Sequence, residues 1–325
     1  MRIAMTRKIP AVALETLESS GADVVVWPEQ LPPSPEQLLE HVEGAAGILS
    51  TLNDKIDGSV LDKLPAVKVV SNFAVGYDNI DVDACTQRGI AVCITPDVLT
   101  DTTADFAFAL LMSAARRVSE SHQSIARGEW KTWEPLGYLG QDVYGATLGI
   151  VGMGRIGVAM AKRAAGFNMT IVYSDMYRNE AAESELGVEH VEFDDLLSRS
   201  DFVSVHTPLT PETRGLFSTE QFKKMKSSSI LINTARGPVV DTDALVEALK
   251  SGEIWGAGLD VTDPEPIPAD HPLLSIDRAV VCPHIASASE VTRSRMAKLA
   301  ADNVLAVLNG TTPPRCLNPE VLTRD

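Results

Sequence analysis

Short β-branched runs alternate with amphipathic stretches along most of the chain. Arg2–Met5, Asp23–Val26, Gly47–Leu49, Val67–Ser71 and Ala91–Ile94 are brief apolar runs bounded by polar or glycine-containing segments, and each reads as a strand. Pro10–Ser19 and Pro35–His41 place apolar residues three and four apart and read as helices. Strands that alternate with helices in this way predict parallel sheets wrapped by helices. Pro32-Pro33-Ser34-Pro35 reads as a surface connection.

The pattern changes near Pro96. Residues 100–105 supply several N-cap side chains, and the apolar run Phe106–Met112 that follows is nearly continuous. A helix apolar on all sides is a buried one, so this segment is expected to lie between two domains. A loop carrying Trp130 and Trp133 follows, then a strong strand at Thr147–Gly152, and βα units repeat to about His284. The last helical stretch, Glu290–Leu308, returns the chain towards its first half. The expected fold is therefore α/β, with two Rossmann/flavodoxin-like domains built on parallel sheets. Residues 1–98 and 287–325 form a substrate domain into which a nucleotide-binding domain, 99–286, is inserted, and a cleft is expected between them.

Composition narrows the function classes. Of 325 residues, 45% are hydrophobic and 22% charged, which excludes a disordered or fibrous chain. Basic residues number 28 and acidic ones 44, for a net charge of −16 and a pI near 4.8. Such a surface repels phosphate backbones and anionic lipid, so neither a nucleic-acid nor a membrane partner is expected. Aromatics at 5% leave little for stacking on single strands. No apolar run reaches the roughly 18–20 residues that span a bilayer. The basic N-terminal residues have no apolar stretch behind them, unlike a secretory signal. Cys85, Cys93, Cys282 and Cys316 form no C-x-x-C pair and read as reduced thiols of a cytoplasmic protein, with no disulfide frame and no metal site.

The strongest local motif is a strand running into G-x-G-x-x-G, Gly152-Met-Gly154-Arg155-Ile156-Gly157, followed by a helical stretch, Val158–Ala165. Gly152 allows the tight turn, Gly154 a close approach of pyrophosphate to the backbone, and Gly157 the packing of helix on strand. Amides at the helix N-terminus then face the phosphates. The next strand, Met169–Ser174, ends at Asp175, close to the ~20-residue spacing at which an acidic side chain meets the adenosine ribose hydroxyls. Asp175 would repel a 2′-phosphate, so NAD is expected as the cofactor. Arg178 nearby leaves NADP open.

Three further apolar strands, Ile230–Ile232, Ala257–Leu259 and Ala279–Cys282, are each followed by chemistry-bearing residues: Asn233-Thr234-Ala235-Arg236-Gly237, Asp260 to Pro266, and Pro283-His284-Ile285-Ala286-Ser287. Ligands bind where the carboxyl ends of parallel strands open, so Arg236, Glu265 and His284 are expected to converge there. His titrates near neutrality and suits a general acid. Glu265 on its other ring nitrogen would fix the tautomer, and Arg236 offers a planar fork for a carboxylate. Each also has an ordinary reading, as a packed histidine, an exposed turn residue and a surface charge. The acidic runs Glu180–Glu185 and Asp194-Asp195 read as solvated helix faces.

Taken together, these segments resemble the D-isomer specific 2-hydroxyacid dehydrogenase family over essentially the whole chain. Asn72 to Asp81 resembles its substrate loop, Gly152–Gly157 its cofactor loop, and Asn233–Gly237, Asp263–Pro266 and Pro283-His284 its catalytic motifs. Pro96–Asp101, Trp133-Glu-Pro135 and Asp142–Gly145 look most like its glyoxylate and hydroxypyruvate reductases. The family's NADP-using glyoxylate reductases tend to carry Arg where this chain has Asp175, a departure that puts NADP use in doubt. The resemblance implies that Arg236, Glu265 and His284 are catalytic. It implies that Leu52, Val75, Gly76, Trp133 and Arg236 touch a small 2-oxo or 2-hydroxy acid, with Asn53 near the pocket. It implies that Thr103, His206, Thr207, Pro208, Thr213, Thr234, Ala235, Asp260 and Ala286 join the glycine loop and Asp175 around the cofactor. Trp133 would reach into a partner subunit, making a homodimer, though a simpler packing role fits it as well. Other readings stay open: phosphoglycerate dehydrogenase, which would want extra cationic groups, phosphite dehydrogenase, and a co-repressor-like NAD sensor. Formate dehydrogenases carry Gln where Glu265 stands and are set aside.

Overall fold

Every strand pairing in the computed structural model, which describes residues 1–323, is parallel. In chain order the elements are β1 (Arg2–Met5), α1 (Val12–Ser19), β2 (Asp23–Val26), α2 (Pro35–Val42), β3 (Gly47–Ser50), α3 (Gly58–Leu61), β4 (Val69–Asn72), α4 (Val82–Gln87) and β5 (Ala91–Cys93). Then come α5 (Thr100–Ala115), α6 (Val118–Ala126), β6 (Thr147–Val151), α7 (Arg155–Ala165), β7 (Thr170–Ser174), α8 (Glu180–Leu186), β8 (Glu189–His190) and α9 (Phe193–Arg199). The chain ends with β9 (Phe202–Val205), α10 (Thr219–Lys224), β10 (Ile230–Asn233), α11 (Thr242–Ser251), β11 (Gly256–Leu259), β12 (Ala279–Val281) and α12 (Glu290–Leu308). Among the described residues no helix is long and apolar enough to cross a membrane.

The chain divides into two compact units, Met1–Leu99 with Ala288–Asp325, and Thr100–Ser287. Arg324 and Asp325, the last residues of the expected 287–325 segment, lie outside the described residues.

In the first unit the sheet order is β2-β1-β3-β4-β5, the flavodoxin-like order. Its inner strands are buried on both faces, as the apolar runs require: Ile48, Leu49, Val69 and Val70 are all at most 1% exposed. Short polar side chains start the helices. Ser34 and Gln37 form a reciprocal capping box on α2, and Asp57, Asp81 and Ser289 cap α3, α4 and α12.

In the second unit the order is β12-β11-β10-β9-β6-β7-β8. The order reverses between β6 and β9, which is where an open parallel sheet leaves a crevice at its carboxyl edge. One face packs on α5 and α7 through residues such as Leu111, Met160 and Phe202. The other packs through Leu197, Phe222 and Leu245 of α9, α10 and α11.

The α5 segment departs from its expected all-round burial. Its helix starts at Thr100, so residues 100–105 form its first turn. Asp101, Asp105 and Ala109 face solvent. The reason is geometric: α5 covers one face of β10 and β11, and that needs a wide apolar stripe and no more. Arg163 of α7 holds the outer face, donating Nε to Asp105 at 2.7 Å and Nη2 to the Asp101 carbonyl at 3.0 Å.

In the first unit a buried amide ties the last helix to the sheet. Asn303, fully buried on α12, donates Nδ2 to the Ile94 carbonyl at 3.1 Å and accepts the Arg315 N–H at 3.0 Å. Asn303→Ala leaves both backbone groups unsatisfied, at about 1–3 kcal/mol each. Chemical denaturation should show a loss in that range or above, with the native circular dichroism spectrum retained.

Candidate active site

The glycine loop lies at the reversal point of the second sheet. Gly152 has a φ of +97°, and a Cβ there would stand 2.8 Å from the His206 carbonyl carbon. The chain must therefore turn there without a side chain, pressed against the end of β9, and His206 N–H donates to the Val151 carbonyl at 2.8 Å. A Cβ at Gly157 would lie 2.2 Å from the Gly152 oxygen, which is why α7 can sit so close to the loop. Gly154 is different. Open space surrounds its missing side chain, and it caps α7 with no side-chain bond to the first-turn amides. Backbone amides at the N-terminus of an eleven-residue helix suit a pyrophosphate, with Arg155 exposed and Ile156 half-buried.

A cavity of about 450 Å³ opens beside this loop, lined by Met153, Gly154, Asp175 and residues 177–180. At its floor Asp175 accepts the Met153 N–H at 2.7 Å through Oδ2 and the Tyr177 N–H at 3.2 Å through Oδ1. Arg178 is turned onto Glu183: Nε donates to Oε1 at 2.8 Å and Nη2 to Oε2 at 2.6 Å. Glu183 also accepts the Tyr173 hydroxyl at 2.7 Å. The Arg178 guanidinium, with help from that hydroxyl, holds the Glu183 carboxyl down at about 2. Glu183 is thus no part of a solvated acidic face. Its helix turn places it over the end of β7, and nothing in the local charge pattern distinguishes it from Glu180 or Glu185. The residues fit a dinucleotide whose ribose meets Asp175.

Next to the loop, His206 offers a ring nitrogen to Ser204 Oγ at 2.8 Å, and desolvation pushes it down to about 4, so it is neutral near pH 7. Thr207 and Pro208 continue from it. Thr213 ties their loop by donating Oγ1 to the Pro208 carbonyl at 2.7 Å. Thr103 is buried within α5.

The carboxyl ends of β10, β11 and β12 are neighbours in register, Asn233 beside Leu259 and Leu259 beside Val281. Backbone bonds extend the alignment past the strands: Asp260 N–H to the Asn233 carbonyl at 2.9 Å and His284 N–H to the Asp260 carbonyl at 2.8 Å. This brings the three polar segments to one edge. His284, in the left-handed region at φ +54°, meets Glu265 through Nδ1···Oε1 at 2.7 Å. Glu265 is 42% and His284 27% exposed at the side chain, so the pair is reachable yet sheltered. Glu265 is therefore no idle turn residue.

Arg236 follows β10. Its turn is fixed by Asn233, which donates Nδ2 to the Arg236 carbonyl at 2.9 Å and accepts the Ala235 N–H at 3.0 Å. Its guanidinium donates Nη1 to the Ala235 carbonyl at 2.8 Å. Thr234 Oγ1 is buried without a hydrogen-bond partner among the described residues. A buried hydroxyl of that kind suits a polar ligand group arriving from outside. Asp260 has both oxygens occupied, by the Ile285 N–H at 2.8 Å and the Ala286 N–H at 2.7 Å. Burial raises its pKa, and those two bonds oppose the rise. Its evident task is to hold the loop that carries His284.

The first unit shapes a second loop pair. Asn72 on β4 donates Nδ2 to the Gly76 carbonyl at 2.9 Å and to Asn79 Oδ1 at 3.1 Å. Asn79 in turn donates to the Thr51 and Asp54 carbonyls at 3.1 and 2.9 Å. Leu52 and Asn53 thereby sit on a loop tied to the one carrying Val75 and Gly76. Among the described residues neither the Val75 nor the Gly76 N–H has an acceptor, so both are donors for an anion. Asn79, Asn233 and Glu183 organise these loops; the sequence placed the two asparagines within motifs but gave them no role, and it gave no sign of Glu183's. Trp133 belongs to neither cluster. It is 79% exposed on the segment between α6 and β6, with Trp130, Leu136, Leu139 and Tyr144 also exposed.

Comparison with known proteins agrees with this geometry. Residues 108–286 match the family model described as D-isomer specific 2-hydroxyacid dehydrogenase, NAD binding domain. A glyoxylate reductase of Korarchaeum cryptofilum is 52% identical over 99% of this chain and 97% of its own length, and one of Pyrococcus horikoshii is 48% identical over 99% and 97%. Among solved structures, a Thermus thermophilus protein superposes with a TM-score of 0.92 at 48% identity, covering 98% of this chain and 100% of that one. An NADPH-dependent glyoxylate/hydroxypyruvate reductase from Sinorhizobium meliloti, in complex with NADP and malonate, superposes at 0.87 with 32% identity, covering 100% and 98%. With a glycine loop at the sheet's reversal point and a histidine–glutamate pair beyond β11 and β12 of the same sheet, the chain belongs to the D-isomer specific 2-hydroxyacid dehydrogenase family.

Proposed function

We propose that the protein reduces glyoxylate or hydroxypyruvate to the D-2-hydroxy acid with NADH, and runs the reverse reaction on the hydroxy acid. The observation that carries this reading is the 2.7 Å His284–Glu265 pair on the sheet edge that also bears Arg236. The family's activity is oxidoreduction with a nicotinamide cofactor, and the glyoxylate reductases similar to this chain at 45–52% identity support the small substrate.

The nicotinamide cofactor, when bound, supplies or takes the hydride. The protein supplies the rest. In reduction, negative charge gathers on the carbonyl oxygen of the 2-oxo acid. With Nδ1–H donated to Glu265, the His284 Nε2 is the nitrogen that delivers the proton, and Glu265 keeps the ring in that orientation. Arg236 is assigned to the substrate carboxylate and the carbonyl oxygen, and the Val75 and Gly76 amides of the first unit are donors suited to an anion. Leu52 and Asn53 flank the second of these groups. His284→Ala should lower the rate of glyoxylate reduction by about 10²–10⁴-fold while leaving NADH binding, followed by fluorescence quenching, unchanged. Ordinary turnover in that variant would remove the assigned acid.

NADH is favoured over NADPH by two carboxylates. Asp175 stands in the ribose-side cavity, and Glu183 neutralises Arg178, the cation nearest to a 2′-phosphate. Asp175→Ala with Glu183→Gln should tighten NADPH relative to NADH by tenfold or more, read from dissociation constants. An unchanged ratio would place the choice elsewhere.

The exposed apolar side chains from Trp130 to Tyr144 support a homodimer formed through this segment, and the four free thiols support a cytoplasmic setting. Light scattering should give the mass of a dimer for the native chain and a shift towards monomer for Trp133→Glu with Leu136→Glu.

A further inference from the structure

Cys93 ends β5, the edge strand of the first sheet, and Cys316 lies opposite it in an antiparallel bridge. The neighbouring ladder bond runs from the Leu317 N–H to the Val92 carbonyl at 2.8 Å, so the two cysteines form a pair that exchanges no backbone bonds of its own. In such a pair the Cα atoms approach to about 4.5 Å and the side chains are at their nearest. That spacing falls within the roughly 4.4–6.8 Å that a disulfide spans. The two cysteines face each other across the bridge, and Cys316 Sγ donates to Asn318 Oδ1 at 3.5 Å.

The surroundings hold this register firmly. Asn318 accepts the Val92 N–H at 2.8 Å and donates to the Ile90 carbonyl at 2.9 Å and Thr86 Oγ1 at 2.8 Å. On the other side Arg315 donates Nη2 to Asp97 at 2.7 Å. Slippage of the strap by one residue would break all of these bonds.

The pair is also chemically graded. Cys93 is fully buried, and Cys316 is partly buried. The neighbouring Cys93 thiol draws the Cys316 thiol down, while Cys316 and burial push Cys93 up. Neither remaining cysteine faces a second thiol across a bridge among the described residues. Cys85 is fully buried and pushed up to about 12 by desolvation, and burial raises Cys282 as well.

We propose that Cys93 and Cys316 are a dithiol modification site that hydroperoxides close to a disulfide. The Cys316 thiolate attacks the peroxide: an S–O bond forms, the O–O bond breaks, and one water or alcohol leaves. The Cys93 sulfur then attacks the resulting sulfenic acid: the S–S bond forms, the S–O bond breaks, and a second water leaves with the Cys93 proton. Two thiols lose two electrons and one peroxide gains them. The resulting covalent ring runs through the whole Thr100–Ser287 unit and fastens the strap to β5. A ring that large restricts the unfolded chain strongly.

The test uses the full-length reduced protein, titrated with hydrogen peroxide, then alkylated and mapped by mass spectrometry. The expected result is loss of two hydrogens per chain, a linked Cys93–Cys316 peptide, alkylated Cys85 and Cys282, and reversal by dithiothreitol. The oxidised form should melt several degrees higher than the reduced one, and Cys316→Ser should show neither the link nor the shift. The proposal is overturned by sulfinic acid at Cys316 with Cys93 still alkylatable, by links through other cysteines or between chains, or by thiols that stay reduced. The mapping on the native sequence stands even where a substituted chain folds poorly.

Discussion

The register of three adjacent parallel strands is the constraint on which the chemistry rests. β10, β11 and β12 end level with one another, and two backbone bonds carry that alignment into the loops, from Asp260 to Asn233 and from His284 to Asp260. A buried carboxylate then completes the arrangement. Asp260 accepts two consecutive amides, those of Ile285 and Ala286, and so fixes the loop just beyond His284. Burying a carboxylate is costly, and its raised pKa reflects that, but two charge-assisted bonds to backbone offset the cost and rigidify the loop. His284 is held in a left-handed conformation, uncommon for a residue other than glycine though histidine is among those that tolerate it. A side chain placed by three strands and a buried anion needs little reorganisation when charge develops at a substrate oxygen.

The protein must attract anions while carrying a net charge of −16. Screening resolves part of this conflict, since at about 0.1 M salt surface charges are felt over about 10 Å. The rest is local. The amides at the start of α7, the unengaged N–H groups of Val75 and Gly76, and the Arg236 fork are all donors fixed by the backbone or by its immediate bonds. None depends on the sign of the distant surface. The same economy governs the ribose side, where Glu183 cancels Arg178 and leaves Asp175 to set the local charge.

The fold was legible because its signals are periodic. Short apolar runs marked ten of the strands to within a residue or two, since parallel strands buried on both faces must be apolar throughout, whereas β8 and β9 were covered only as further βα units. The glycine loop was legible because each glycine answers a steric demand: Gly152 and Gly157 would drive a Cβ into backbone. Arg236, Glu265 and His284 could be picked out by their place after strands. The contact between Glu265 and His284 could not, since the two lie nineteen positions apart on loops that follow different strands. Glu183 was misread as solvated because an acidic helix face looks the same whether or not one of its members meets a buried tyrosine and an arginine. The helix α5 was over-read as buried on all sides because alanine is silent about which face it occupies: Ala107 is buried and Ala109 is exposed.

The strap after α12 shows how polar side chains finish what a sheet leaves open. β5 is an edge strand, and an edge exposes unpaired N–H and C=O groups that invite another chain. Here the Val92 N–H goes to a side-chain amide, Asn318, and the Val92 carbonyl to the Leu317 N–H, so the edge is closed with one short bridge and one asparagine. Asn303 closes the next position by bonding the Ile94 carbonyl and the strap together. A covering segment this short cannot be held by apolar burial, because it has too little surface to bury. It is held by amides that imitate a strand, and that same precision of register is what sets two thiols, widely separated in sequence, opposite one another.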